Sequence, residues 1–95
     1  MNNQPVLTRR YSVHEAIAVR EIEGQILLLT PNDDVLYTLN KTGHFIWELL
    51  VKGMVVAQMV ETLVSEYHIS REKATNDLLN LLQQLEEKAI IQVEE

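Results

Sequence analysis

The 95-residue sequence has no cysteine. That excludes disulfides, thiol nucleophiles and cysteine-based zinc sites. Positive charge is scarce. Eight Lys and Arg stand against fourteen Asp and Glu, for a net charge of −6. A nucleic-acid backbone is therefore a poor match, because phosphate contacts need clustered cations. No apolar run approaches the roughly 20 residues of a membrane helix. The amino end, MNNQPVLTRRYSVHEA, has no apolar signal-peptide core. Gly24, Gly43 and Gly53 are too scattered for a phosphate-binding loop. No Ser sits in a nucleophile-elbow context. His14, His44 and His68 have no i, i+4 pairing, and Asp33-Asp34 lies beside Pro31 and Asn32 as a turn, not as an acid–base pair. The expectation is a soluble cytoplasmic protein that is not an enzyme and has no metal and no cofactor.

What the sequence does have is enough apolar content, 46%, for one small globular domain. Such a domain buries only about two thirds of its chain surface, so its core must be efficient or shared with a partner. The chain is organised around VLYTLNKTGHFIWELLVKG, from Val35 to Gly53. Val35 to Leu39 reads as a strand. Asn40, Lys41 and Thr42 supply a turn and a helix N-cap. Phe45, Ile46, Leu49 and Leu50 then form a helical stripe with Trp47 beside it, and Gly53 is a helix stop.

Upstream, Met1 to Val13 shows no sustained period and is expected to be a flexible arm, extending over residues 1–15, before a domain over 16–95. Residues 17–22 alternate as a half-buried strand. Glu23-Gly24 is a tight turn, and residues 25–30 are a second strand. With Val35 to Leu39 these make an antiparallel meander. Downstream, Val56, Met59, Val60, Leu63 and Val64 follow helical spacing over 55–67. Ser70 is an N-cap for a third helix over 71–88. Ala74, Leu78, Leu81 and Leu85 lie on one line, expected to face the core. Leu79 and Leu82 fall to one side of it, near Thr75 and Glu86. The residues 89–93, AIIQV, fit a helix extension or a final short strand. The fold class expected is α+β, a three-stranded antiparallel sheet followed by three α-helices. Trp47 and Leu50 are expected in its core with Leu63 and Leu81.

The chemistry left is that of a binding surface. A three-stranded sheet exposes unpaired N–H and C=O groups at its edges to any extended peptide. The third strand, Val35, Leu36, Tyr37, Thr38 and Leu39, supplies that edge if the meander order holds. Tyr37 alternates with Val35 and Leu39, so it fits the core as well as the site. Leu79, Leu82 and Thr75 are the expected pocket, with Asp77 and Glu86 placed to meet basic peptide residues. The same leucines would also serve to pack the second helix or a twin subunit.

The run ILLLTPNDDVLYTLNKTGHFIWELLVKG resembles the PqqD family in Leu39-Asn40, Thr42-Gly43, Ile46-Trp47, Leu50 and Gly53. The following segment is similar in order and length, with Tyr67 ending a helix and Asp77 before the Leu-rich half of the next. The likeness covers residues 16 to about 91. It implies a winged helix-turn-helix-like domain, a RiPP recognition element. Such a domain binds the leader of a ribosomally made precursor peptide by strand addition to the third strand, against the third helix. It would then present the precursor to a modifying enzyme such as a radical SAM protein or a leader peptidase. Tyr37, Trp47 and the run YTLNKTGHFIW resemble leader-binding proteins of lasso-peptide pathways as much as those of PQQ biosynthesis. The peptide's direction on the strand stays open. Two other classes share this order of elements. One is a winged-helix DNA-binding domain, which needs a basic recognition helix. The other is a plain dimerisation module, and a homodimer through the peptide edge also stays open.

Overall fold

The computed structural model describes residues 6–94. A 3-10 turn, Val6–Thr8, leads into strand β1, Arg10–Val13. Three strands follow: β2 (Ala18–Ile22), β3 (Gln25–Leu29) and β4 (Val35–Leu39). Then come three helices, α1 (Lys41–Val51), α2 (Val56–Tyr67) and α3 (Arg71–Glu87), and a last strand, β5 (Ile91–Glu94). The architecture is α+β. β2, β3 and β4 form an antiparallel three-stranded sheet in that order, and β1 pairs antiparallel with β5 in a second, two-stranded sheet.

Local chemistry accounts for the meander. Glu23 and Gly24 both have positive φ, 51° and 84°, as a two-residue hairpin turn requires. At the next turn, Thr30 Oγ1 accepts the N–H groups of Asn32 and Asp34. Arg20 reaches across to Asp33 at 2.9 Å. β4 carries an irregularity at Leu36, so that Leu28 faces Tyr37 while Leu29 faces Val35.

The strand-to-helix corner is a capped one. Asn40 is the N-cap of α1, and its Oδ1 accepts the N–H of Gly43 at 2.8 Å. At the other end of α1, Gly53 has φ 87°. Its N–H bonds to Leu50 O and that of Met54 to Leu49 O. This is a Schellman ending, with glycine in the left-handed position as the sequence suggests. Ser70 caps α3 through Lys73 N–H. One core results, made of Ile26, Leu28, Leu39, Ile46, Trp47 and Leu50 with side chains from α2, α3 and the second sheet.

Two expectations change, and one open choice is decided. The arm expected over residues 1–15 is folded from Val6 onward; residues 1–5 of it lie outside the described residues. Arg10 to Val13 are held by register pairing with Glu94 to Ile91, Tyr11 is buried, and Arg9 O accepts Val56 N–H at 3.0 Å. The partner strand lies at the far end of the chain, so nothing local announces it. The second change concerns α3. Its buried line is Ala74, Leu78, Leu82 and Leu85, and Leu81 is only half-buried. Residues 81 and 82 sit about 100° apart on a helix, and either continues an i, i+3, i+4 stripe. The second sheet, packed on one flank, selects Leu82. Of the two forms left open for residues 89–93, the short strand is the one present: the chain leaves the helix at Ala89 and becomes β5.

Candidate functional site

β4 is an edge of its sheet, with β3 on one side and, among the described residues, no strand on the other. Along that open side runs a groove of about 360 Å³ between β4, the start of α1 and α3. β4 contributes Tyr37, Thr38 and Leu39. The capped corner contributes Asn40, Thr42 and Gly43, and α1 contributes Ile46. Asp77 and Leu81 form the α3 wall. Folding explains each wall. The N-cap turns the chain sharply after β4, so α1 begins at the end of the strand it follows. The buried line of α3 fixes Asp77 and Leu81 on the flank that looks at β4. The apolar floor is Leu39 and Ile46, both buried.

Gly43 matters to that floor. A Cβ built on it would stand 3.2 Å from Leu39 Cδ2 and 3.3 Å from Asn40 Oδ1. Glycine here lets the first turn of α1 close on β4 and on its own cap. One hydrogen bond ties the strand to α3: Tyr37 Oη donates to Gln84 Oε1 at 2.7 Å. Asp77 is already engaged by Lys73 at 3.0 Å, an exposed i, i+4 pair contributing only about 0.3–0.5 kcal/mol. The groove thus offers two things together: the backbone groups of a strand edge, and an apolar wall within reach of them.

The nine expected site residues divide. Tyr37, Thr38 and Asp77 line this groove. Val35, 56% exposed, and half-buried Leu36 lie on the same strand upstream of it. Leu79, Leu82 and Glu86 lie on the other flank of α3 and line a different cleft, with Leu82 as its buried floor. Half-buried Thr75 bonds back to Arg71 O at 2.7 Å and lines neither. So the structure does not bring Leu79, Leu82 and Glu86 to β4. Leu81, assigned to the core from spacing, is the apolar side chain that α3 turns to the strand. The corner residues Asn40, Thr42 and Gly43 were visible as a capping turn. Their second role as groove wall follows only from where α3 lies.

Some chemistry is not assembled. Among the described residues no three His, Asp or Glu side chains are placed to hold a metal ion. On α3, Arg71 is paired with Glu61 and Lys73 with Asp77, so each of these two cations has an acidic neighbour. No helix among the described residues is long and apolar enough to cross a membrane.

Comparison with known proteins adds three findings. Residues 25–91 match the family model of coenzyme PQQ synthesis protein D (PqqD). Among solved structures, the chain is similar to TbiB1 in complex with the TbiA(beta) leader peptide, at 25% identity and a TM-score of 0.75, covering 84% of this chain and 93% of that one. It is also similar to a lasso peptide synthetase B1 complexed with the leader peptide, at 25% identity and a TM-score of 0.79, covering 87% and 98%. Among curated protein sequences none matches.

Proposed function

Because this chain belongs to the PqqD family, we propose that it binds the leader segment of a ribosomally made precursor peptide. The leader adds as a strand to the open edge of β4 and lies in the groove that β4 shares with α3. One observation carries this reading. The strand edge that offers unpaired backbone groups borders a groove with an apolar wall, Leu81, and an apolar floor, Leu39 and Ile46. Backbone pairing gives affinity with little sequence preference, and the wall gives the preference. The two similar structures, each solved with a leader peptide, support the same use of this fold. They also favour a lasso-type pathway over PQQ biosynthesis.

The protein acts as a non-catalytic chaperone. It holds the leader and leaves the core segment of the precursor to a modifying enzyme, in a lasso-type pathway a leader peptidase. Val35, Leu36, Tyr37 and Thr38 supply the strand, and Asp77 stands where a basic leader residue would pass. The experiment is a titration of fluorescein-labelled leader, taken from the precursor encoded nearest this gene, against wild type, Leu81→Glu and Thr38→Pro. Proline removes a backbone donor from the edge strand. Both variants should stay folded and bind more weakly. Two folded variants binding as tightly as wild type would place the leader elsewhere.

A further inference from the structure

The phase of the three-stranded sheet fixes which backbone groups β4 turns to its open side. Ile22 and Gln25 flank the two-residue turn, so the turn's own bond makes them a hydrogen-bonded pair. Bonded and non-bonded pairs alternate along an antiparallel ladder. On β3, Gln25 and Leu27 therefore point their N–H and C=O at β2, and Ile26 and Leu28 point theirs at β4. The partners of those two on β4 are Leu39 and Tyr37. Thr38, between them, turns its N–H and C=O to the open side. Whichever way an added peptide runs, its residue opposite Thr38 sends its side chain away from α3, as Thr38 does. The residues on either side of it send theirs toward α3, one opposite Leu39 and one opposite Tyr37. These two places differ. The groove reaches along β4 as far as Tyr37 and along α3 as far as Leu81. The strand continues to Val35, and Gln84 continues the face of Asp77 and Leu81, yet neither lines the groove. Tyr37 and Gln84 stand at its end, joined by the 2.7 Å bond from Tyr37 Oη to Gln84 Oε1.

A strand edge alone does not fix register. Its pattern repeats every two residues, so a peptide shifted by two makes the same kind of backbone bonds with the same faces inward. We propose that Tyr37, held by Gln84, is the stop that sets the register of the leader on β4. The leader side chain opposite Leu39 enters the groove and rests on Leu39, Ile46 and Leu81. The one opposite Tyr37 meets the ring where the groove has ended and stays outside it. A shift by two toward Val35 would carry the seated side chain onto the ring and off its apolar floor. In the other direction the edge runs out, because Asn40 C=O is taken by His44 N–H and the chain turns into α1. The bond to Gln84 keeps the ring from turning aside. Tyr37 is thus a specificity-determining residue, and Gln84 is the positioning residue behind it. The leader that fits has one large apolar side chain for the seat, with no second seat for the residue two positions toward Val35. This inference rests on the reading that β4 binds a leader, and adds where along the edge the leader is held.

The probe is the leader of the precursor encoded nearest this gene, made with a single cysteine that carries a nitroxide at one end of the paired segment. The protein has no cysteine, so the label sits on the peptide alone. Paramagnetic broadening of amides in the ¹⁵N-labelled full chain reads the register, since a slip by two residues moves the label about 7 Å along β4. Wild type should show one set of broadened amides at one end of β4. Tyr37→Ala should add a second set, displaced by that slip. Gln84→Leu should add it more weakly, and Gln84→Glu, which still accepts from Tyr37 Oη, should restore the single set. If Tyr37→Ala fails to fold, Gln84→Leu and Gln84→Glu carry the test, because Gln84 is exposed. In wild type, serine in place of the seated apolar leader residue should weaken binding about tenfold, as loss of a central apolar contact does. The same change two residues toward Val35 should cost little. A single register in both Tyr37→Ala and Gln84→Leu, with the leader still on β4, overturns the stop and leaves the leader reading standing. Two registers in wild type also overturn it. Broadening centred away from β4 in wild type, or no binding of the leader, overturns the leader reading itself and the stop with it.

Discussion

Leu79 and Leu81 are two residues apart and look alike in sequence, yet α3 sends them to opposite flanks. Leu81 lines the β4 groove and Leu79 the cleft beside Arg9. This gives a sharp test at the level of single side chains. Leu81→Glu should weaken leader binding about tenfold or more, as loss of a central apolar contact does. Leu79→Glu should leave leader binding unchanged. Both leucines are half-buried, so both variants should melt as cooperative folded proteins, and that is to be checked before titration. An equal loss of affinity for both would mean that the leader wraps α3 instead of lying along one flank. Trp47 has a different role: only 6% of it is exposed, within the core cluster. Trp47→Ala should cost about 3–5 kcal/mol in chemical denaturation. Periodicity found Trp47 and Leu50 without difficulty, because their helix has one apolar stripe. It did not separate Leu81 from Leu82, because α3 has apolar residues over a wide arc and the covering sheet makes the choice.

Among the elements, helix endings show the same contrast between local and distant causes. The end of α1 was legible because Gly53 fills the left-handed position. The end of α3 has the same hydrogen bonds: Ala89 N–H to Glu86 O and Ile90 N–H to Leu85 O, each at 3.0 Å, with Ile90 and Leu85 both buried. Here the left-handed residue is an alanine, Ala89, at φ 59°. Alanine signals helix, so the sequence alone left the segment open between helix and strand. An L-residue in that conformation costs about 1–2 kcal/mol, which glycine avoids at some entropic cost. Ala89→Gly should therefore stabilise the protein by about 1 kcal/mol, a melting-temperature rise of about 4–8 °C in a domain of this size. A fall in melting temperature would show that Ala89 is held by contacts of its methyl group. Ser70→Ala should act in the opposite direction, by about 0.5–2 kcal/mol, because Lys73 N–H loses its cap. β1 and β5 lie beyond such local reasoning. Their pairing joins residues 10–13 to residues 91–94, and neither segment has a period or turn that names the other.

For the whole molecule, the question is what the two open edges of the three-stranded sheet do. β2 exposes Val19 and Ile22, but its middle is Arg20 and Glu21. Antiparallel self-pairing of all five residues of β2 about a two-fold axis sets Arg20 against Arg20, and like charges directly opposite are destabilising. That edge is guarded against its own copy. β4 carries no charge, and the equivalent register sets Tyr37 against Tyr37 and Val35 against Leu39. Aromatic and β-branched pairs of this kind favour a sheet. The edge proposed for the leader is thus also the edge best suited to a twin subunit, and the two uses exclude each other. If the free protein dimerises, saturating leader should convert it to a one-to-one complex, with the mass of one 11.0 kDa chain plus one leader, in sedimentation velocity. Thr38→Pro should weaken dimer and leader complex together. The leader should also protect the β4 amides, and not those of β2, from hydrogen exchange. A dimer indifferent to saturating leader would place self-association on another surface and leave β4 to the peptide alone.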